Sequence, residues 1–161
     1  ALVYTSSLDN IPSIVGLFIH MTSNLTEIKG DLFDAKECLC HCVSADFYMG
    51  KGIAVEFKQR FGYVQELLSQ KRGVGDIAVL TVESRTIFYL VTKEKYYLKP
   101  TYESLTNCLR ELAEECIRLD IKKISMPKIG CGLDNLNWQK VKKIIQKELC
   151  DIGIDVTVYY L

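Results

Sequence analysis

Ile124-Ser125-Met126-Pro127-Lys128-Ile129-Gly130-Cys131-Gly132-Leu133-Asp134 is the stretch that decides the fold. From Ile124 to Ile129 it reads as an apolar strand-like run, and the glycine loop that follows stands in front of a helical pattern. A second loop of the same kind, Met49-Gly50-Lys51-Gly52-Ile53-Ala54, follows the short buried run Leu39-Cys40-His41-Cys42-Val43. Behind it, Ile53, Ala54, Phe57 and Phe61 recur at helical spacing. Glycine lets a backbone approach a ligand closely and adopt positive φ. A helix N-terminus behind such a loop offers unpaired N–H groups and the positive end of the helix dipole. Two such loops predict a clamp for a diphosphate; the alternative is that they merely turn the chain.

Outward from these loops the chain alternates. Val64, Leu67 and Leu68 continue the helical spacing behind the first loop. Ile77 to Val82 and Thr86 to Thr92 are β-rich runs separated by Glu83-Ser84-Arg85, which reads as a hairpin turn. Lys99-Pro100-Thr101 is a helix entry, after which Leu105, Cys108, Leu109, Leu112, Cys116 and Ile117 fall at helical spacing. Lys123 to Met126 reads as a central strand and Ile154 to Tyr160 as a closing one. Between them Asn137 caps a last helix marked by Val141, Ile144, Ile145 and Leu149. This pattern predicts an α/β fold, a three-layer α/β/α sandwich around a central mixed β-sheet. Ligands of such sheets bind at the carboxyl ends of the strands. Both glycine loops, and Lys93 at the end of the Ile87 to Thr92 run, point to one rim.

A chain of 161 residues fits one domain with a proper core. At 48% hydrophobic and 25% charged, its composition argues against disorder. Lys+Arg and Asp+Glu are both 20, so no global field draws the chain to nucleic acid or to an anionic membrane. Seven cysteines, an odd number in no spaced framework, fit a reducing compartment, which makes the expected location intracellular, nucleus or cytoplasm. The first Lys or Arg is Lys29, and the apolar run Ile14 to Ile19 is too short to span a bilayer and lacks the basic flank of a secretory signal. Residues 1–20 are therefore expected to be an N-terminal extension, a weak extra strand or a disordered or non-native tail, with the domain over 21–161.

Gly30-Asp31-Leu32-Phe33, His41-Cys42-Val43-Ser44, the first glycine loop, Thr92-Lys93, Lys99-Pro100-Thr101-Tyr102 and the stretch from Ser125 to Asp134 occur in that order. As an ordered set they resemble the macrodomain family, and within it the terminal ADP-ribose protein glycohydrolase branch, over Met21 to Leu161. The resemblance implies an ADP-ribose pocket on a macrodomain fold. It implies removal of ADP-ribose from acidic side chains of modified proteins and deacetylation of O-acetyl-ADP-ribose, with no cofactor, metal or membrane, by a monomer. It also implies roles: Lys93 as nucleophile, Asp134 as general acid/base, Ser44 at the distal ribose, Asp31 and Leu32 at the adenosine end. The diphosphate would lie between Gly50, Gly52, Ile53 and Ala54 of the first loop and Ile129, Gly130, Cys131, Gly132 and Leu133 of the second. Tyr159 and Leu161 of the closing strand would border the adenine.

These residue types suit such chemistry in their own right. The ester joining ADP-ribose to a carboxylate sits at the anomeric region of the distal ribose. An unprotonated lysine amine attacks the open-chain aldehyde form and gives an imine-type adduct. A lysine ordinarily holds its proton at neutral pH, so a reactive one needs desolvation or neighbouring cations, and Lys95 and Lys99 are close in sequence. An aspartate near the same ribose serves to deprotonate the lysine or to resolve the adduct.

Plainer readings compete at each position. Asp134 serves equally as a helix cap or turn residue, Asp31 closes a turn, and a lysine at a strand end is commonly solvated. Cys38, Cys40 and Cys42 alternate onto one strand face with His41 on the other, which suits buried packing better than a metal site. Cys131 is either an oxidisable thiol or a packing residue. Gly50-Lys51-Gly52 lacks the spacing and following Ser/Thr of a P-loop. Lys51 departs from a family position that is generally small, and Ala45, Phe47 and Tyr48 depart from the polar residues expected after Ser44. Alternatives to the hydrolase are a non-catalytic ADP-ribose reader and a hydrolase of ADP-ribosylated nucleic acid gripped by Lys51, Lys58, Arg60, Lys71 and Arg72.

Overall fold

A computed structural model describes residues 24–161, so the expected extension over 1–20 and the start of the domain at residues 21–23 lie outside the described residues. Strand β1 (Leu25–Lys29) leads through a 3-10 turn (Leu32–Asp34) to β2 (Cys38–Ser44). Helices α1 (Ile53–Phe61) and α2 (Val64–Ser69) follow, then β3 (Ile77–Val82) and β4 (Arg85–Lys93). Helix α3 (Tyr102–Arg118), β5 (Lys123–Pro127), α4 (Trp138–Glu148) and β6 (Asp155–Tyr160) complete the chain. The strands form a six-stranded sheet in the order β1-β6-β5-β2-β4-β3. Every neighbouring pair is parallel except β3 with β4, so the sheet is mixed, as expected.

Alternation along the strands builds the layers. In β4, Phe88 and Leu90 face a core shared with Leu105, Leu109 and Leu112 of α3 and Val141 and Ile145 of α4. Ile87, Tyr89 and Val91 face the opposite core with Phe57 of α1 and Leu67 of α2. The same alternation sends Cys40, with Cys38 and Cys42 beside it, to the α3/α4 side. His41 goes to the other side, stacked on Phe57 with ring centroids 3.7 Å apart. The cysteines and the histidine thus face different layers, and one ion cannot gather them.

The local signals act where the sequence places them. Thr101 and Ser104 form a reciprocal capping box that starts α3, and Asn137 caps α4 by accepting from Lys140 N–H. The hairpin turn is tighter than the expected three-residue link. Glu83 and Ser84 alone form it, both at positive φ, the combination a type I′ turn uses to match the strand twist. Behind the second glycine loop α4 starts only after its expected cap, Asn137. Leu136 N–H donates to the Gly130 carbonyl at 2.8 Å, and Asn135 takes φ 62°. The loop therefore closes in a turn of its own before Asn137 opens the helix.

Candidate functional site

Parallel strands put their carboxyl ends on one edge, and this edge carries a cleft of about 600 Å³. A register irregularity between Val43 and Ser44 sets Ser44 opposite Lys93, and Ala45 N–H donates to the Lys93 carbonyl at 2.9 Å. Ser44, Lys93 and Pro127, from the ends of three strands, all line the cleft.

The two glycine loops form its walls. In the first, Phe47 and Met49 turn their side chains into the core at positive φ, and Gly52 at φ 61° delivers the chain to α1. Among the described residues no side chain caps α1, so its N-terminal turn, with Ile53 and Ala54, meets the cleft as bare backbone. In the second, Gly130 sits at φ 71°, where an added Cβ would lie 2.8 Å from Leu136 Cδ1. Ile129, Gly130, Gly132 and Leu133 line the opposite wall.

Between the walls, Lys93 Nζ lies 2.7 Å from Asp134 Oδ1, with both side chains mostly withdrawn from solvent. The nitrogen and the carboxylate are at proton-transfer distance, from segments 41 residues apart. Asp134 is therefore neither a helix cap nor an idle turn residue. Beside it, Lys99 Nζ donates to the Leu133 carbonyl at 2.5 Å and fastens the segment after β4 to the second loop. Lys51 is exposed on the first loop and lines the cleft, so the departure noted in the sequence is a positive charge on the first-loop wall.

Ser44 is nearly sealed, at 4% exposure, and its hydroxyl donates to Asp46 Oδ1 at 2.5 Å. Burial pushes the Asp46 carboxyl up. Hydrogen bonds from Ser44 and from the Tyr48 and Tyr96 N–H groups, with the charge of Lys95, outweigh it and hold the group below its ordinary range.

The residues expected at the adenosine end are placed differently. Asp31 is exposed at the end of β1, where its carboxylate accepts from Phe33 N–H at 2.9 Å and caps the 3-10 turn. Leu32 is buried in the α1/α2 core rather than in the cleft. Gly30 N–H donates to the Tyr160 carbonyl at 2.8 Å, which lays the Asp31 segment along the end of β6. Tyr159 pairs in register with Pro127, a cleft residue, but neither Asp31, Leu32, Tyr159 nor Leu161 lines the cleft itself. Leu161 is 96% exposed. Cys131 also turns away. Its thiol donates to the Ile129 carbonyl at 3.3 Å, burial pushes it up to about 11, and it packs against the α3/α4 core.

Some cleft residues escape the sequence reading: Tyr96, Tyr97, Lys128 and Asp46, the last beneath the lining. Tyr48 and Tyr96 stack at 4.2 Å between ring centroids, with Tyr97 edge-on to Tyr96 at 5.3 Å. Adjacent tyrosines in a polar segment directly after Lys93 were the available signal, since large exposed rings on a loop ask for a partner.

Comparison with known proteins places this geometry. Residues 40–145 match the Macro domain family. The ADP-ribose glycohydrolase OARD1 of Homo sapiens is 45% identical over 141 residues, spanning 86% of this chain and 93% of that protein. The solved macrodomain of Thermus aquaticus DarG superposes with a TM-score of 0.78 at 29% identity, over 86% of this chain and 99% of that one. Thermosipho africanus DarTG, solved in complex with ADP-ribose, gives 0.77 at 25% identity, over 86% of this chain and 42% of that one. A mixed sheet with helices on both faces, a cleft at the strand ends and an extended sequence match agree: the chain belongs to the macrodomain family.

Proposed function

We propose that this chain is an ADP-ribosyl-protein glycohydrolase that also deacetylates O-acetyl-ADP-ribose, with Lys93 as nucleophile and Asp134 as acid/base. The observation that carries the reading is the 2.7 Å contact between Lys93 Nζ and Asp134 Oδ1 inside the cleft between the glycine loops. Its likeness to an ADP-ribose glycohydrolase over nearly that protein's full length supports it. In this reading the diphosphate rests on the bare N-terminal turn of α1 and on the Ile129 to Leu133 backbone, and the distal ribose reaches Ser44. Asp31 and Tyr159 border the adenosine end, outside the cleft proper.

The chemistry follows from the pair. Asp134 takes the proton that stops Lys93 from acting as a nucleophile. An ester at the anomeric carbon keeps the ring closed, so in place of the open-chain attack expected from the sequence Lys93 Nζ bonds to the anomeric carbon of the ring, and the acidic side chain departs as its carboxylate with the electrons of the broken C–O bond. Ring opening leaves an imine between Nζ and that carbon. Water adds to the imine while Asp134 exchanges its proton, releasing ADP-ribose and the free amine. Removal of ADP-ribose from nucleic acid is a second reading, favoured by the Tyr48–Tyr96 stack and by Lys51 and Lys58 on the first loop and α1.

All seven cysteines are free, which supports a reducing intracellular compartment, nucleus or cytoplasm. Among the described residues no helix is long and apolar enough to cross a membrane.

The test is release of ADP-ribose from a glutamate-automodified acceptor by wild type, Lys93→Ala and Asp134→Ala. Turnover by wild type alone, with binding kept in the variants, is expected. Binding without turnover by wild type would make the chain a reader.

A further inference from the structure

We propose that Asp46 is a positioning residue of this site. It holds Ser44 as a one-way hydrogen-bond acceptor for a ribose hydroxyl and locks the loop after β2 to the segment after β4 beside Lys93. The inference rests on the cleft being an ADP-ribose site.

A serine hydroxyl has one proton to give and two lone pairs. Ser44 gives its proton to Asp46 Oδ1 at 2.5 Å. An ionised carboxylate only accepts, so the direction of that bond is fixed. The face that Ser44 shows the cleft is therefore lone pairs alone. Its partner must bring a proton. A sugar hydroxyl does, whereas an ionised phosphate oxygen or an ester carbonyl does not. This assigns Ser44 to a ribose hydroxyl acting as donor and denies it the diphosphate.

The same carboxylate also sets the spacing of the site. Asp46 Oδ1 accepts from Tyr48 N–H at 3.1 Å, and Oδ2 accepts from Tyr96 N–H at 3.3 Å, across 50 residues of sequence. Above this bracket the Tyr48 and Tyr96 rings stack. Lys93 lies between the two tied segments, three residues before Tyr96 and opposite Ser44 in register. Asp46 thus fixes both the polarity of the ribose contact and the distance from Ser44 to the nucleophile. Its hydrogen bonds with Ser44, Tyr48 and Tyr96 favour the ionised form, the one that accepts from all of them.

The test is a double-mutant cycle on release of ADP-ribose from a glutamate-modified acceptor, with wild type, Ser44→Ala, Asp46→Ala and the double variant. ADP-ribose affinity by calorimetry and the thermal midpoint are measured alongside. Asp46→Ala is expected to lower kcat about 10- to 100-fold, the scale of an ångström-level misplacement. In the Ser44→Ala background the same change should cost less than about threefold, the signature of two residues acting as a unit. Asp46→Asn keeps an oxygen for Ser44 but turns an amide toward Tyr96 N–H, and its kcat should fall between. Effects that simply multiply overturn the proposal. So does a loss of kcat that merely tracks a fall in the thermal midpoint. If wild type binds ADP-ribose without turnover, the hydrolase reading falls, and the same cycle is read in dissociation constants. Coupling there supports the Asp46 role, and independence overturns it.

Discussion

The Lys93 end of the cleft and the Asp31 end beyond it are built differently. At the Lys93 end, three segments distant in sequence are tied by polar side chains: Asp46 to Tyr96, Lys93 to Asp134, and Lys99 to Leu133. At the Asp31 end one tie is backbone to backbone, Gly30 N–H to the Tyr160 carbonyl, and the other is local, Phe33 N–H to the Asp31 carboxylate two residues before it. The contrast matches the two demands on such a site. Chemistry needs groups fixed to a fraction of an ångström, whereas holding a ring against a strand end needs only surface. Substitutions at the first end should therefore change rate, and those at the second only affinity.

The largest effect belongs to the pair itself. Asp134→Ala should lower kcat by roughly 10²- to 10⁴-fold, the range for a positioned acid/base, and Lys93→Ala by at least as much. Both should keep ADP-ribose affinity within a small factor in calorimetry, since the proposed diphosphate contacts are backbone. Retained turnover in Lys93→Ala would falsify the nucleophile assignment and with it the distinction between the two ends.

Below the Lys93 end, the core carries a pH-dependent weakness. His41 is fully buried, stacked on Phe57, and neither ring nitrogen has a partner among the described residues. Burial lowers its pKa to about 3. The unfolded chain takes up this proton near pH 6.5 and the folded one does not, so stability is whole above about pH 6.5 and falls as pH drops toward 3. The expected slope from this group is roughly 1.4 kcal/mol per pH unit in that window. Thermal midpoints of wild type and His41→Phe measured from pH 7 to pH 4 should diverge, with the variant flatter. Parallel curves would remove His41 as the cause.

How much of this was legible in the sequence depends on how far each feature reaches. The glycine loops, the capping of α3 and α4, and the cysteine face are set by neighbours within a few residues, and they stand where pattern placed them. Lys93 and Asp134 meet across 41 residues, and only the ordered resemblance brought them together in advance. Asp46 had no such guide, because its partner Tyr96 becomes a neighbour only once β2 and β4 pair. The turn behind the second glycine loop was missed for a related reason. Asn135 at positive φ and the Leu136 N–H to Gly130 carbonyl bond close that turn, and apolar spacing carries no mark of either.

Gly130 tests the second wall at a smaller scale. Alanine there must adopt φ near 71° and push Leu136 aside. The strain is about 1–3 kcal/mol. For a domain of this size that lowers the thermal midpoint by roughly 2–4 °C per kcal/mol. The turn closed by Leu136 carries Asp134 as well as the proposed diphosphate wall, so the variant should lose both kcat and ADP-ribose affinity. A loss of stability alone would show that the turn tolerates the shift without moving Asp134.

The smallest expected effect is at the other end, and it sets the sharpest limit on the comparison. Asp31→Ala removes one exposed carboxylate that now caps a short 3-10 turn. The turn is held independently by the Ala35 N–H to Leu32 carbonyl bond at 3.0 Å, so the fold should barely respond. If Asp31 contacts the adenosine end, its loss should raise the ADP-ribose dissociation constant about three- to tenfold, the worth of a single hydrogen bond of roughly 0.5–1.5 kcal/mol. The turnover number should not change, because an interaction made equally in the bound and transition states alters KM alone. A fall in kcat would mean that the adenosine end positions the distal ribose, which no contact among the described residues provides. An unchanged dissociation constant would mean that Asp31 serves only its turn, and the adenosine would then rest on Tyr159 and the strand end beside Pro127.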